Sequence, residues 1–265
     1  MLRGAAFVLA LWLGVTCGAA AQTAAPPPAA PDTGQEEADD SNPARPVLFS
    51  IRPEWYSRTP DVTQAAVILR YDQVMLRGRP WVPGRRAILR FELPTTATHV
   101  TGVPTQAGIG DAYAQVLFVP SLSRRVALVA GTGVLIPTAS DSLLGSGKVA
   151  LAPAVGPLMF FGPRTLLFVK VQDFVSIAGD ADRPDFHYLL VTPIWLHAIG
   201  RQWWVMLDTE TKTNWNDENR TGVKSGAQVG RAFSGRFGVW VKPEVWWGPN
   251  QSGQWNLKIG LVWHR

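Results

Sequence analysis

Four histidines, His99, His187, His197 and His264, carry the chain's only imidazoles, and they lie far apart in sequence. None stands in a His-x-Ser or His-x-x-x-His pattern. A lipid-cleaving enzyme needs an imidazole beside a serine nucleophile. Strands could assemble His187 with Ser176 or Ser225, but no feature of the sequence singles those residues out. Gly145-Ser146-Gly147-Lys148 has the outline of a phosphate loop. Its first glycine is missing, since Ser142 stands there, and Val149 replaces the final Ser or Thr. Asp180, Asp182 and Asp185 supply three carboxylates that could meet Ca²⁺. Their spacing is not that of an EF-hand, and Arg183 offsets part of their charge. The one cysteine, Cys17, precludes a disulfide. The expectation is a chain with no catalytic residue, no metal site and no cofactor.

The charges that remain fall at alternate positions. Arg52, Glu54, Arg70, Asp72, Arg86, Arg90, Glu92, Asp208, Glu210, Lys212, Lys242, Glu244 and Lys258 all fall at even positions, most of them between apolar or small residues. Tyr56, Trp204, Met206, Trp240 and Trp246 share their parity. A side chain in a strand points to the face opposite its neighbour's. These residues are therefore predicted to lie on one face of a sheet. Unpaired charge in a low-dielectric setting is costly, so that face must be wet or internally paired. One reading is a set of ion pairs that plugs an enclosed space; the other is a narrow polar path with aromatic groups along it, where cation–π contacts would suit a small aromatic solute.

The elements that position them are short and apolar on the other face. From Gln254 onward, Trp255, Leu257, Ile259, Leu261 and Trp263 alternate with Asn256, Lys258, Gly260 and Val262. Phe237 to Trp247, Trp203 to Trp215, Phe49 to Tyr56, Val67 to Asp72, Arg86 to Leu93 and Asp111 to Phe118 repeat the pattern. Val223 to Val229 does so with glycines on one face. Residues 124–137, 146–157 and 164–175 are read as strands of weaker alternation, and 185–197 as a strand apolar on both sides. Alternating segments of about ten residues between turn residues are the signature of a membrane barrel. Trp203 with Trp215, and Trp255 with Trp263, bracket their strands as an aromatic girdle would. A secreted β-sandwich is the alternative; it would hide the apolar faces between two sheets.

Met1-Leu2-Arg3, the apolar stretch Ala5–Val15 and Ala19-Ala20-Ala21 have the layout of a secretory signal peptide over 1–21. Residues 22–45 hold Pro26-Pro27-Pro28 and Glu36-Glu37-Ala38-Asp39-Asp40, and are expected to form a disordered Pro/Ala/acidic periplasmic tail. Of 25 Lys+Arg and 20 Asp+Glu, Arg3, Arg45 and five acids precede residue 46. That leaves 23 bases against 15 acids in 46–265. Export argues against nucleic acid as the partner of this charge. Lipopolysaccharide phosphates or an anion-favouring pore suit it. With the first strand starting in the periplasm, the Pro120–Ser123, Ala198–Arg201 and Phe233–Gly235 turns fall on the inner side. The longest loop, Thr95–Gly108, then falls outside, as does Ser176–Pro184.

Val171-Gln172-Asp173-Phe174, then Ala178-Gly179-Asp180, Arg183 and Asp185, resemble a motif of the exported barrel family named for the MetA pathway of phenol degradation. Thr192-Pro193, Trp203-Trp204, Thr213-Asn214-Trp215, Gly226, Gly230 and Gln254-Trp255-Asn256-Leu257 follow at similar spacing. Gly108-Ile109-Gly110-Asp111 and Ile136-Pro137-Thr138 resemble its earlier glycine-rich elements. The likeness runs from about residue 46 to the end and is carried by the order of the motifs. It implies a link to aromatic catabolism and transport across the outer membrane, and no catalytic residue. The end, Trp263-His264-Arg265, departs from the terminal aromatic residue with which such barrels often finish and which the barrel-assembly machinery reads.

These readings converge on an all-β chain. Residues 46–265 are expected to form an antiparallel transmembrane β-barrel of about twelve strands in the bacterial outer membrane. Its partners would be lipopolysaccharide, the assembly machinery and a small-molecule solute, with no nucleic acid. The expected role is passive passage or binding of small, apolar or aromatic solutes without covalent chemistry. A structural or surface-interaction barrel with a plugged lumen is the second reading, and a lipid-acting enzyme the third. The sequence sets neither the solute nor the oligomeric state.

Overall fold

A computed structural model describes residues 47–76, 86–120, 123, 125–248 and 253–264. The signal and tail segments expected over 1–45 lie outside the described residues. The described chain consists of thirteen β-strands. They are β1 (Val47–Thr59), β2 (Val62–Leu76), β3 (Arg86–Val100), β4 (Val103–Ile109), β5 (Ala112–Phe118), β6 (Val126–Ile136) and β7 (Lys148–Phe161), followed by β8 (Thr165–Gly179), β9 (His187–Ile199), β10 (Trp203–Asn214), β11 (Arg220–Ala232), β12 (Phe237–Trp247) and β13 (Trp255–His264).

Consecutive strands pair antiparallel except β4 and β5, which both pair with β3, and β1 pairs with β13, which closes the sheet on itself. The ring has twelve places. β4 and β5 share one of them, because both pair with the same side of β3. β5 follows Ala87–Glu92, and β4 follows Thr95–Val100 beyond it. The result is a closed antiparallel twelve-stranded barrel, whose ring closure leaves no edge strand except β4, paired only with β3.

Two expectations about loops are corrected. Thr95–Gly108 is not a loop but the hairpin of β3 and β4, turning at Thr101-Gly102. Gly102 takes φ 83°, which glycine adopts without a side-chain clash. The hairpin escaped the sequence reading because Thr96, Thr98, His99 and Gln106 give it little apolar alternation. Ser176–Pro184 is shorter than expected as a loop, since β8 continues to Gly179.

The two faces differ as closure demands. Outward positions carry Leu69, Phe91, Leu207, Val229, Val241 and Val245, all exposed, with Phe91 at 52 %. Large apolar groups laid out in this way cover the exterior rather than a core between sheets, which removes the sandwich alternative. Aromatic residues collect at both ends of this band. At the end that carries Val47 and His264, Trp263 meets Phe49 and Phe237 at ring distances of 5.7 and 5.2 Å, and Trp203 at the start of β10 belongs to the same outward set. At the far end stand Trp55, Trp215, Trp247 and Trp255. Trp203 and Trp215 thus lie at opposite ends of β10, and Trp255 and Trp263 at opposite ends of β13.

Candidate functional site: the barrel lumen

The inward positions form three layers. The middle layer is a belt of charge. Asp72 accepts two guanidinium forks: Arg70 donates from Nε at 3.0 Å and Nη2 at 2.5 Å, and Arg90 from Nε and Nη2 at 3.1 Å each. Arg90 stands directly across from Asp72, and Arg70 across from Glu92, so the register of β2 and β3 builds the cluster. Arg52 donates to Glu54 on β1. Glu54 in turn faces Lys258 across the β1–β13 seam. Lys242 lies between Asp208 at 2.9 Å and Glu244 at 2.7 Å, and Lys258 reaches Glu244 at 2.6 Å. Lys224 pairs with Glu210 at 3.1 Å, and Asn256 donates to Glu244. Arginine serves β1–β3, where carboxylates are met by planar forks, and lysine serves β11–β13.

The belt is one-sided. Its pairs lie on the arc that runs from β10 through β13 to β3. The facing wall, β5–β9, carries Ala150, Ala152, Ala154, Leu190 and Thr192, with Lys170 as its one belt cation among the described residues. Lys170 donates to Gln172, and Gln172 donates to Tyr113 at 2.8 Å. The inner surface therefore has a densely charged wall and a nearly neutral one.

Below the belt, at the end carrying the termini, an apolar collar closes in. Leu158, Leu166, Phe168, Ile194, Leu196, Trp204, Met206, Trp240 and Val262 pack together there. Above the belt, Tyr113, Phe174 and Tyr188 form a second buried cluster; the Phe174 and Tyr188 rings stack at 5.0 Å. Lys212 is half-buried and stands 4.2 Å over the Tyr188 ring, a cation–π contact.

The sequence-predicted inward set can now be placed. Arg52, Glu54, Arg70, Asp72, Arg90, Glu92, Trp204, Asp208, Glu210, Trp240, Lys242, Glu244 and Lys258 are all buried on the inner face; Lys258 and Glu54 are 0 % exposed. The Arg86 side chain lies outside the described residues. The aromatic set does not form one ladder. Trp204, Met206 and Trp240 belong to the collar, whereas Tyr56 and Trp246 lie near the opposite ends of their strands, beyond the belt. The sequence reading did not recognise Lys170 and Gln172 as inward groups, and it left Lys224 and Gln228 out of the lumen set although it placed them opposite Val223, Ala227 and Val229. Lys224 and Gln228 had the signal, because they share the parity of Gly226 and Gly230 on β11. Lys170 and Gln172 sit on β8, whose two faces are otherwise largely apolar from Leu166 to Val175.

At the outer mouth, the 137–147 connection folds over the inner face of the β3–β4 hairpin. Leu144 is buried against Gly108 and Gly110, where a β-carbon would crowd it. Asp111, wholly buried, accepts from the Ser146 amide at 2.6 Å, the Ser146 hydroxyl at 2.7 Å and the Ala139 amide at 3.3 Å. Arg183 donates to the Ser142 and Gly145 carbonyls from the β8–β9 loop. Gly145-Ser146-Gly147-Lys148 is thus an anchored turn. Lys148 pairs with Asp185 at 2.9 Å, and this hydrogen bond and charge hold the Asp185 carboxyl below its ordinary range. Of the three loop aspartates, Asp180 accepts the Asp182 amide, so the group is organised by backbone and by Lys148.

The histidines are dispersed. His187 pairs with Asp173 at 3.0 Å on outward positions of β8 and β9, His197 with Thr165, and His99 with Thr105 on the exposed hairpin. Ser176 hydrogen-bonds Asp185 and the Phe186 amide.

Comparison with solved structures matches this geometry. The COG4313 outer membrane channel from Pseudomonas putida F1 superposes with a TM-score of 0.69 at 13 % identity, over 86 % of this chain and 98 % of that one. The chain has the fold of an outer-membrane channel. The NanC porin gives a TM-score of 0.59 at 8 % identity, over 82 % of this chain and 100 % of its own. The KdgM porin gives 0.52 at 9 % identity, over 82 % and 99 %. No family model matches the chain, and no curated protein does. The resemblance to the phenol-degradation barrels rests on the motif order alone.

Proposed function

We propose that this chain is an outer-membrane channel through which small solutes pass passively, without covalent chemistry. Export by a cleaved signal peptide would bring it to the assembly machinery, and lipopolysaccharide would surround its outer rim. The observation that carries the reading is the division of the closed ring into an apolar exterior with aromatic ends and a charged interior. Such a wall satisfies hydrocarbon outside and polar solute inside. The barrel likeness to solved channels supports it. The neutral wall facing the charged arc, with aromatic groups above and below the belt, supports a solute with an apolar or aromatic body. The motif order shared with the phenol-degradation barrels points the same way.

A second reading is a barrel whose lumen is filled and whose role is structural. The near-complete burial of the belt favours it. Reconstitution separates the two. In planar bilayers the purified chain is expected to give discrete conductance steps, and Asp208→Ala or Arg90→Ala is expected to change their size and ion preference. Bilayers that stay silent, with no solute uptake into liposomes, would establish the filled barrel instead.

A further inference from the structure

One row of inward residues alternates tryptophan and glycine. Trp204 of β10 stands directly across from Gly230 of β11, Gly230 across from Trp240 of β12, and Trp240 across from Gly260 of β13. Each indole lies flat on the wall over the glycine that follows it. A β-carbon on Gly230 would overlap the six-membered ring of Trp204, and one on Gly260 would overlap the Trp240 indole. Gly238 gives Trp204 further room, with its virtual β-carbon 3.3 Å from Cη2. Two of the largest side chains in the lumen are therefore held along the wall rather than across the passage.

The same row carries unused hydrogen-bonding capacity. Among the described residues, Nε1 of Trp204 and Nε1 of Trp240 meet no protein partner. One inward step along β11, Gln228 is 1 % exposed, and neither its amide oxygen nor its amide nitrogen meets a protein partner. A buried amide left this way is costly in an apolar surround. Here it stands on the inner face between the collar and the belt, across from Met206.

We propose that Trp204, Trp240 and Gln228 form the solute-selecting subsite of the passage, and that Gly230 and Gly260 hold it open by letting the indoles lie flat. Its chemistry fits an uncharged, planar molecule with a hydrogen-bond acceptor. The rings offer stacking faces, the two indole N–H groups and the amide N–H donate, and the amide oxygen accepts a donor if the solute has one. The inference rests on the channel reading above and names the residues that discriminate.

The test is single-channel recording with benzamide as probe. In the wild type, benzamide is expected to interrupt the current. Gln228→Leu keeps the size and removes the amide, and should shorten each interruption by about tenfold, as should Trp240→Ala. Gly260→Ala should lift the Trp240 indole off the wall and lower conductance several-fold; the double variant Gly260→Ala with Trp240→Ala should restore it. Interruptions unchanged in both Gln228→Leu and Trp240→Ala would overturn the subsite. Unchanged conductance in a folded Gly260→Ala would overturn the role of the glycine. If Gly260→Ala does not fold, Trp240→Ala decides alone: wider conductance supports the proposal, and wild-type conductance refutes it. A wild type that conducts but ignores benzamide defeats this inference and leaves the channel standing; a wild type that does not conduct defeats both.

Discussion

Glu244→Ala is expected to destabilise the barrel more than any other single change in the belt, by about 3–5 kcal/mol. Lys242 and Lys258 stand directly across from each other on β12 and β13. Like charges at such a position repel. The Glu244 carboxylate resolves the conflict by giving one oxygen to each ammonium, at 2.7 and 2.6 Å, while Asn256 donates to it as well. All three charged groups are buried to within 2 % of completely. Removing the acid leaves two buried ammonium groups without the carboxylate they share, while Asp208 stays with Lys242 and Glu54 across from Lys258. The measurement is the unfolding midpoint in detergent, read by the shift in electrophoretic mobility that folded barrels show on heating. A midpoint equal to the wild type would mean that solvent, not Glu244, neutralises the lysines.

Leu207→Arg should have the second-largest effect, about 2–4 kcal/mol, and of a different origin. Leu207 points outward near the middle of β10 and is 50 % exposed. On a water-soluble protein, an exposed leucine changed to arginine alters stability by no more than about 0.5 kcal/mol. Facing the bilayer midplane, the guanidinium must be desolvated or must drag water and headgroups inward. The loss should appear in folding titrations into liposomes. It should shrink when the same change is made at Trp203 or Trp215, near the ends of the apolar band. Equal, negligible effects at all three positions would contradict a membrane-facing exterior.

Legibility in the sequence followed the two walls of the lumen. β10, β12 and β13 announce themselves because their inner face is charged and their outer face apolar, so period two is plain in Trp203–Trp215 and Gln254–Trp263. β7–β9 border the neutral wall. Ala150, Ala152, Ala154, Leu190 and Ile194 point inward while Leu151, Val155 and Trp195 point outward. Both faces are then apolar and the alternation disappears, although the strands do not. The same cause hid Lys170 and Gln172. β4 was hidden because it is only seven residues long and Thr105 interrupts the face that Val103, Ala107 and Ile109 share. The ion pairs within one strand, such as Arg70 with Asp72, could be read from spacing alone. The Trp–Gly row could not, because Gly230 and Gly260 gain their meaning only from the register that sets them opposite Trp204 and Trp240.

Accessibility along β10 tests the two-faced wall of the ring most directly. Single cysteines placed in turn from Val205 to Thr211, each carrying a nitroxide label, would be read in liposomes against oxygen, which concentrates in hydrocarbon. The expected result is a period of two, with high oxygen contact at Val205, Leu207 and Thr209 and low contact at Met206, Asp208 and Glu210. A flat profile, or labels at Val205 and Leu207 shielded from oxygen, would contradict it.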